Sequence, residues 1–208
     1  VEAGLQADDT AYTYGIIGYT LIGLREYALA KAALLNAVSG HPDFAEAYAY
    51  LGLAEDYLGS DGMYAYERAL DIDEKLAIAH YLVGLHYRRI GDNDKAIPAL
   101  KRAFELDASN AAAAAELGSA YTELADLTTA EAWYVQAVSV APKDASFWTL
   151  LAKFYIDHDL KVDQDGLLAA QKAVELAPDS ADAWDTLGFA QYLNNSRDLA
   201  EENLLKAR

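Results

Sequence analysis

A block of residues recurs along this chain at a period of 34 positions. Leu117-Gly118, Tyr121, Ala130, Tyr134, Ala137 and Pro142 echo, with substitutions, Val83-Gly84, Tyr87, Ala96, Leu100, Ala103 and Ala108. Self-similarity at such a period marks stacked supersecondary units, none of which can bury its apolar face alone. It predicts one elongated body whose core runs along its axis, and it points to recognition by a surface. The echo does not name a ligand.

Small residues set the phase. Gly18, Gly52, Gly84, Gly118, Ala152 and Gly188 occupy one equivalent place, and Ala37, Ala69, Ala103, Ala137, Ala173 and Ala207 another. A side chain of one carbon or none lets two helices approach closely while large neighbours fill the remaining space. Glycine inside a helix costs up to about 1 kcal/mol against alanine, so its recurrence at one phase needs a packing reason. Units follow at 11–44, 45–76, 77–110, 111–144, 145–180 and a partial 181–208. Each is predicted to be two antiparallel helices, for example 111–124 and 127–140. Breakers such as Gly59-Ser60-Asp61-Gly62, Gly91-Asp92-Asn93 and Asn194-Asn195-Ser196 mark the turns, and Pro42, Pro142 and Pro178 sit between units. The fifth unit is two residues longer than the period, which predicts a loop over Asp157–Asp165. Pro98 predicts a kink or a late start in the second helix of its unit.

This pattern resembles the tetratricopeptide repeat family. Trp184, Leu187-Gly188, Ala200 and Ala207 match its signature, as do Tyr48, Leu51-Gly52 and Ala69, and Trp148, Leu151 and Tyr155. The fourth unit matches from Leu117 through Pro142, with Ala114 in place of the leading aromatic. Glu55 and Gln191 depart from a usual aromatic, and Glu74 and Ala108 from a usual proline. The resemblance covers residues 11–208. It implies an all-α, right-handed superhelical solenoid of antiparallel helix pairs, serving as a non-catalytic protein–protein interaction scaffold. It further implies that the first helix of each unit lines a concave groove. Carried over by phase, the groove candidates are Tyr12, Tyr19, Tyr50, Leu53, Tyr57, Tyr81, Leu85, Arg88, Lys153, Phe189 and Tyr192. Ala49, Thr149 and Ile156 also fall at inward positions. The clamp of Lys, Asn and Arg that family members use for a terminal carboxylate is missing: Gly15, Tyr19, Tyr50, Ile78 and Leu82 stand there instead. Arg88-Arg89 is the inward basic pair, and its expected partners are Asp56 or Glu123 on neighbouring helices.

Val1–Thr10 aligns in phase with Gln171–Ser180 and so resembles the tail of an earlier second helix. Thr10 to Leu24 carries no charge and includes Tyr12, Tyr14, Ile16, Ile17, Tyr19, Leu21 and Ile22. Terminal repeats ordinarily present a polar outer face. The expectation is therefore a segment of a longer array, or an amino end covered by another subunit through self-association.

The chemistry inventory is thin. Net charge is −17, with no basic stripe able to release counterions, so DNA and RNA are poor partners and a protein or peptide with basic flanks is the better match. Cysteine is absent, which excludes disulfides and thiolate metal sites. No stretch nears the roughly 18 apolar residues of a membrane span. His41, His80, His86 and His158 form no His-x-x-x-His pair, and His80 stands where Trp148 and Trp184 stand in their units. Asp157, Asp159, Asp163 and Asp165 precede Gly166, but Lys161 and Lys172 fall where a calcium loop needs ligands. No phosphate cradle or nucleophile elbow is present. The sequence thus calls for no catalytic residue, no cofactor and no metal. Rival readings are a structural spacer or oligomerisation arm, and a recruiting module of a larger multidomain protein. The compartment stays open between cytoplasmic and exported.

Overall fold

The computed structural model describes residues 2–207, with side chains from Thr10 onward. Among the described residues there are twelve α-helices and no strand. They fall into two compact units, Val1–Asp107 and Ala108–Arg208.

In the first unit α1 (Glu2–Gly23) pairs with α2 (Tyr27–Gly40), α3 (Ala45–Tyr57) with α4 (Met63–Ile72), and α5 (Ala77–Arg89) with α6 (Asn93–Leu106). Helices α1, α3 and α5 also touch in succession, which brings the first helices of three repeats side by side. The second unit repeats the plan with α7 (Ala111–Glu123) and α8 (Leu127–Val140), α9 (Ala145–Asp157) and α10 (Leu167–Leu176), and α11 (Ala181–Leu193) and α12 (Arg197–Lys206).

The small-residue phases are packing requirements. A Cβ added at Gly18 would fall 2.4 Å from Leu34, at Gly52 2.6 Å from Tyr66, at Gly84 2.6 Å from Leu100, and at Gly118 2.9 Å from Tyr134. Those large partners are in turn buried, and Leu34, Tyr66 and Leu100 are completely so. One bare backbone thus receives one large side chain in each of these four hairpins. At the second phase Ala37, Ala69, Ala103, Ala137 and Ala173 are sealed in the core, and each accepts the C-cap N–H of its helix.

Turns and caps follow the same register. Arg25, Gly59, Gly91, Ala125, Asp159 and Asn195 all hold positive φ at the turn within their hairpins, although only two are glycine. Asp92, Asn110, Asp126, Asp144 and Ser180 cap helices with their side chains. Trp148 and Trp184 donate their indole N–H to the carbonyls of Pro142 and Pro178, six residues back, at 2.9 and 2.7 Å. His80 makes the equivalent bond from Nε2 to the Glu74 carbonyl at 2.9 Å, so it substitutes for tryptophan in the fold.

Three expectations change. Helix α1 passes residue 10 without a turn, so the boundary drawn before Ala11 is not a break in the backbone; the side chains of residues 1–9 lie outside the described residues. Helix α6 does not start late: Asp92 caps it at Asn93 and it runs through Pro98. The Asp157–Asp165 loop shrinks to a short turn, because Val162–Gly166 forms a π-helical turn leading directly into α10. Its wide bond, Gly166 N–H to the Lys161 carbonyl at 3.1 Å, absorbs extra length while Val162 goes into the core.

Candidate functional site

Six of the eleven groove candidates meet in one place. Tyr19 from α1, Tyr50, Leu53 and Tyr57 from α3, and Tyr81 and Leu85 from α5 line a pocket of 530 Å³, completed by Ile22, Ile78 and Leu82. Helical periodicity explains the convergence: Tyr50, Leu53 and Tyr57 are spaced three and four apart and so share a face, as do Ile78, Leu82 and Leu85.

The rings are held against one another. Tyr19 and Tyr50 meet at 5.0 Å with planes tilted by 58°, and Tyr57 stacks on Tyr27 at 4.3 Å and 8°. Tyr19 and Tyr57 remain 56% and 59% exposed, so each keeps ring surface available to a ligand beside its aromatic neighbour. Burial, with Tyr19 and Glu46 nearby, pushes the Tyr50 hydroxyl above its ordinary value and keeps it a neutral hydrogen-bonding group. A second pocket of 310 Å³ shares Tyr19 and Tyr50 and adds Gly15, Ile16, Phe44 and Glu46. It exists because Gly15 has no side chain; a Cβ there would sit 2.5 Å from the Phe44 ring. A third pocket of 580 Å³ shares Tyr57 and is lined by Asp56, Ser60, Asp61, His86 and Arg89. The three form a row across α1, α3 and α5.

The remaining candidates go elsewhere. Tyr12 packs on Phe44 and His41, at 4.8 and 5.4 Å between ring centres. Arg88 donates to Asn93 Oδ1 at 2.9 Å. In the second unit Lys153 reaches Asp182 at 2.6 Å, Phe189 and Tyr192 lie 6.3 Å apart, and Tyr192 lines a 380 Å³ pocket with α12. Ala49, Thr149 and Ile156 are closed off in the core, where neighbouring helices cover them.

Behind Tyr57 lies a buried polar hub that the sequence reading did not assemble. The Asp56 carboxylate, 7% exposed, accepts the Gly62 N–H at 3.0 Å, the Tyr66 hydroxyl at 3.0 Å and His86 Nδ1 at 3.0 Å. Arg89 donates to the same carboxylate at 2.5 Å and also to the Asp56 carbonyl, fulfilling one of the two pairings expected for the Arg88-Arg89 pair. Burial and the Asp56 carboxylate push the Tyr66 phenol far above its ordinary range. One signal was present in sequence: Asp56 lies four residues after Gly52 and so falls on the small-residue, buried face of α3, unlike Glu46 and Glu55.

Comparison with known proteins agrees with this fold. A tetratricopeptide repeat family model matches residues 90–154. Residues 90–154 are therefore tetratricopeptide repeats, and the other hairpins repeat their plan. Mouse (Mus musculus) Superkiller complex protein 3 is 24% identical over 96% of the chain, and the chain spans 13% of that relative's length. Among solved structures, pilF of Pseudomonas aeruginosa aligns with a TM-score of 0.83 at 16% identity, covering 97% of this chain and 91% of that one. YrrB, described as having an unusual peptide-binding site, aligns with a TM-score of 0.64 at 21% identity over 84% of this chain and 90% of its own. These structures share the all-α fold of superhelically stacked helix pairs. Tetratricopeptide arrays are protein-interaction scaffolds whose stacked helices expose extended binding surfaces. None of the described helices is long and apolar enough to cross a membrane.

Proposed function

We propose that the first unit holds an extended or helical segment of a partner protein across α1, α3 and α5. The observation that carries this reading is the 530 Å³ pocket, in which four tyrosines and three leucines from three successive repeats converge. Tyrosine offers large contact area, few rotatable bonds and a hydroxyl handle, which suits a binding hot spot. Glu46 borders one end of the row and Asp61 the other, so basic residues flanking an apolar anchor complement the trough. Peptides selected from a displayed random library against the wild-type chain test it. Tyr19→Ala/Tyr57→Ala, which alters two exposed rings, is expected to weaken the selected peptides at least about tenfold. Peptides that bind the folded double variant unchanged defeat the reading.

A second reading is self-association through α1, favoured by the exposed Ile16, Ile17 and Leu24 of its uncharged stretch. Sedimentation of wild type and of Ile16→Glu/Leu24→Glu separates the two, since only self-association makes the apparent mass depend on these residues.

A further inference from the structure

The hub around Asp56 leaves one strong ligand atom unused. His86 is 7% exposed, and its Nδ1 lies 3.0 Å from both Asp56 oxygens. A carboxylate only accepts, so the two Asp56 oxygens, nearer to Nδ1 than the Arg89 guanidinium at 3.3 Å, place the proton of the neutral ring on Nδ1 and leave a lone pair on Nε2. Among the described residues Nε2 has no hydrogen-bond partner. Its polar neighbour is Asp61 Oδ1 at 3.8 Å, too far for one. The ring contributes to the wall of the 580 Å³ pocket, where Asp61 also lies.

That spacing fits a metal better than a proton. Zinc binds imidazole nitrogen and carboxylate oxygen at about 2.0–2.1 Å, which places neighbouring ligands of a tetrahedral ion about 3.3 Å apart. The 3.8 Å between Nε2 and Oδ1 therefore exceeds a ligand edge by about half an ångström. Asp61 is 77% exposed on the turn between α3 and α4, so its side chain has room to close that distance. Ligand atoms of Asp56, Asp61 and His86 lie within 4.8 Å of one another. Asp56 completes the pattern from the far side of the ring: a carboxylate on the non-ligating nitrogen fixes the tautomer and raises imidazole basicity. Arg89 lies on that same Nδ1 side and is paired with Asp56.

We propose that His86 Nε2 and the Asp61 carboxylate bind a divalent transition-metal cation of the zinc class, with Asp56 as the outer carboxylate. Calcium and magnesium are disfavoured, because they require six or more oxygen ligands. The remaining coordination positions face the pocket and take water. The site shares Asp61 with the acidic end of the proposed peptide trough, and it is tested with no peptide present so that the two readings fail separately.

The test is calorimetric titration of Zn²⁺ into wild type and Asp61→Asn. The variant keeps the side-chain oxygen that accepts the Met63 N–H at 2.9 Å, so α4 retains its start. Wild type is expected to bind a single Zn²⁺ in excess Mg²⁺, and Asp61→Asn to lose at least about tenfold in affinity. Paramagnetic Co²⁺ should first broaden the amide signals of residues 59–62 and 86. Equal affinity in the two proteins, no binding heat for wild type, or broadening centred on His41, His80 or His158 each overturns the proposal.

Discussion

Replacing Asp56 by alanine removes the acceptor on which two repeats converge. Three donors lose their partner within the core: the Gly62 N–H, the Tyr66 hydroxyl on a fully buried ring, and His86 Nδ1. A buried donor left unsatisfied costs about 1–3 kcal/mol, and water entering the vacated volume recovers part of it. Arg89 adds little, because its side chain is 41% exposed and turns to solvent. The sum is about 3–5 kcal/mol, the range for breaking a buried charged pair. Arg89→Ala, by contrast, leaves Asp56 three donors and should cost about 1 kcal/mol. Hydrogen exchange read by mass spectrometry on peptides spanning 56–66 and 80–90 measures both. Asp56→Ala should lower protection there by about two to three-and-a-half powers of ten, at about 1.4 kcal/mol per tenfold. A loss below about 1 kcal/mol, or one no larger than that of Arg89→Ala, would refute the claim that the carboxylate organises this region.

Other perturbations probe the same physics. Gly62→Ala would place a Cβ 2.2 Å from the Gly52 carbonyl oxygen, which cannot rotate away, so α3 and α4 must part. Urea unfolding should show a loss of at least about 2 kcal/mol, whereas Gly23→Ala, with nothing within 4 Å, should be neutral or gain up to about 1 kcal/mol. Pro98→Ala restores an N–H inside α6 where the Asp94 carbonyl lies four residues back, and should raise thermal stability by about 1–2 kcal/mol. Hydrogen bonds from Lys161 and Tyr155 hold the Glu131 carboxyl below its ordinary value of 4.5, Lys161 being the larger cause. A depressed carboxylate contributes stability above its unfolded value and loses it as pH falls through the folded value. Glu131→Gln should therefore be less stable than wild type at neutral pH, and the difference should close below pH 4.5; an equal gap in acid would contradict this.

Much of the fold was legible because local constraints recur at one period. The predicted helices 111–124 and 127–140 are within a residue of Ala111–Glu123 and Leu127–Val140, since Asn110, Asp126 and the breakers beside them act over a single turn. His80 could be placed as a tryptophan substitute by phase alone, and its bond to Glu74 shows why that works. Where the repeat lengthens, phase loses its hold: two extra residues read as a loop, but the backbone stored them in a π-turn because Val162 gains by burial. The candidate site was half legible. Phase identified Tyr50, Tyr57 and Tyr81 as one face, but not that Tyr57 stacks on Tyr27 or that Tyr12 turns to Phe44.

The sequence by itself determined the repeat, the pairing of bare backbone with large side chain, and the face on which the tyrosines stand. Each is a consequence of spacing along a helix, and periodicity carries that information without knowledge of neighbours. Only the tertiary structure decided that Asp56 meets His86, 30 residues away, on the same carboxylate that takes the expected Arg89, and that Asp61 stands across from an unused imidazole nitrogen. Those meetings depend on how closely α3, α4 and α5 approach. The bare backbones of Gly52 and Gly62 permit that approach, and the buried carboxylate, saturated with donors, fixes it.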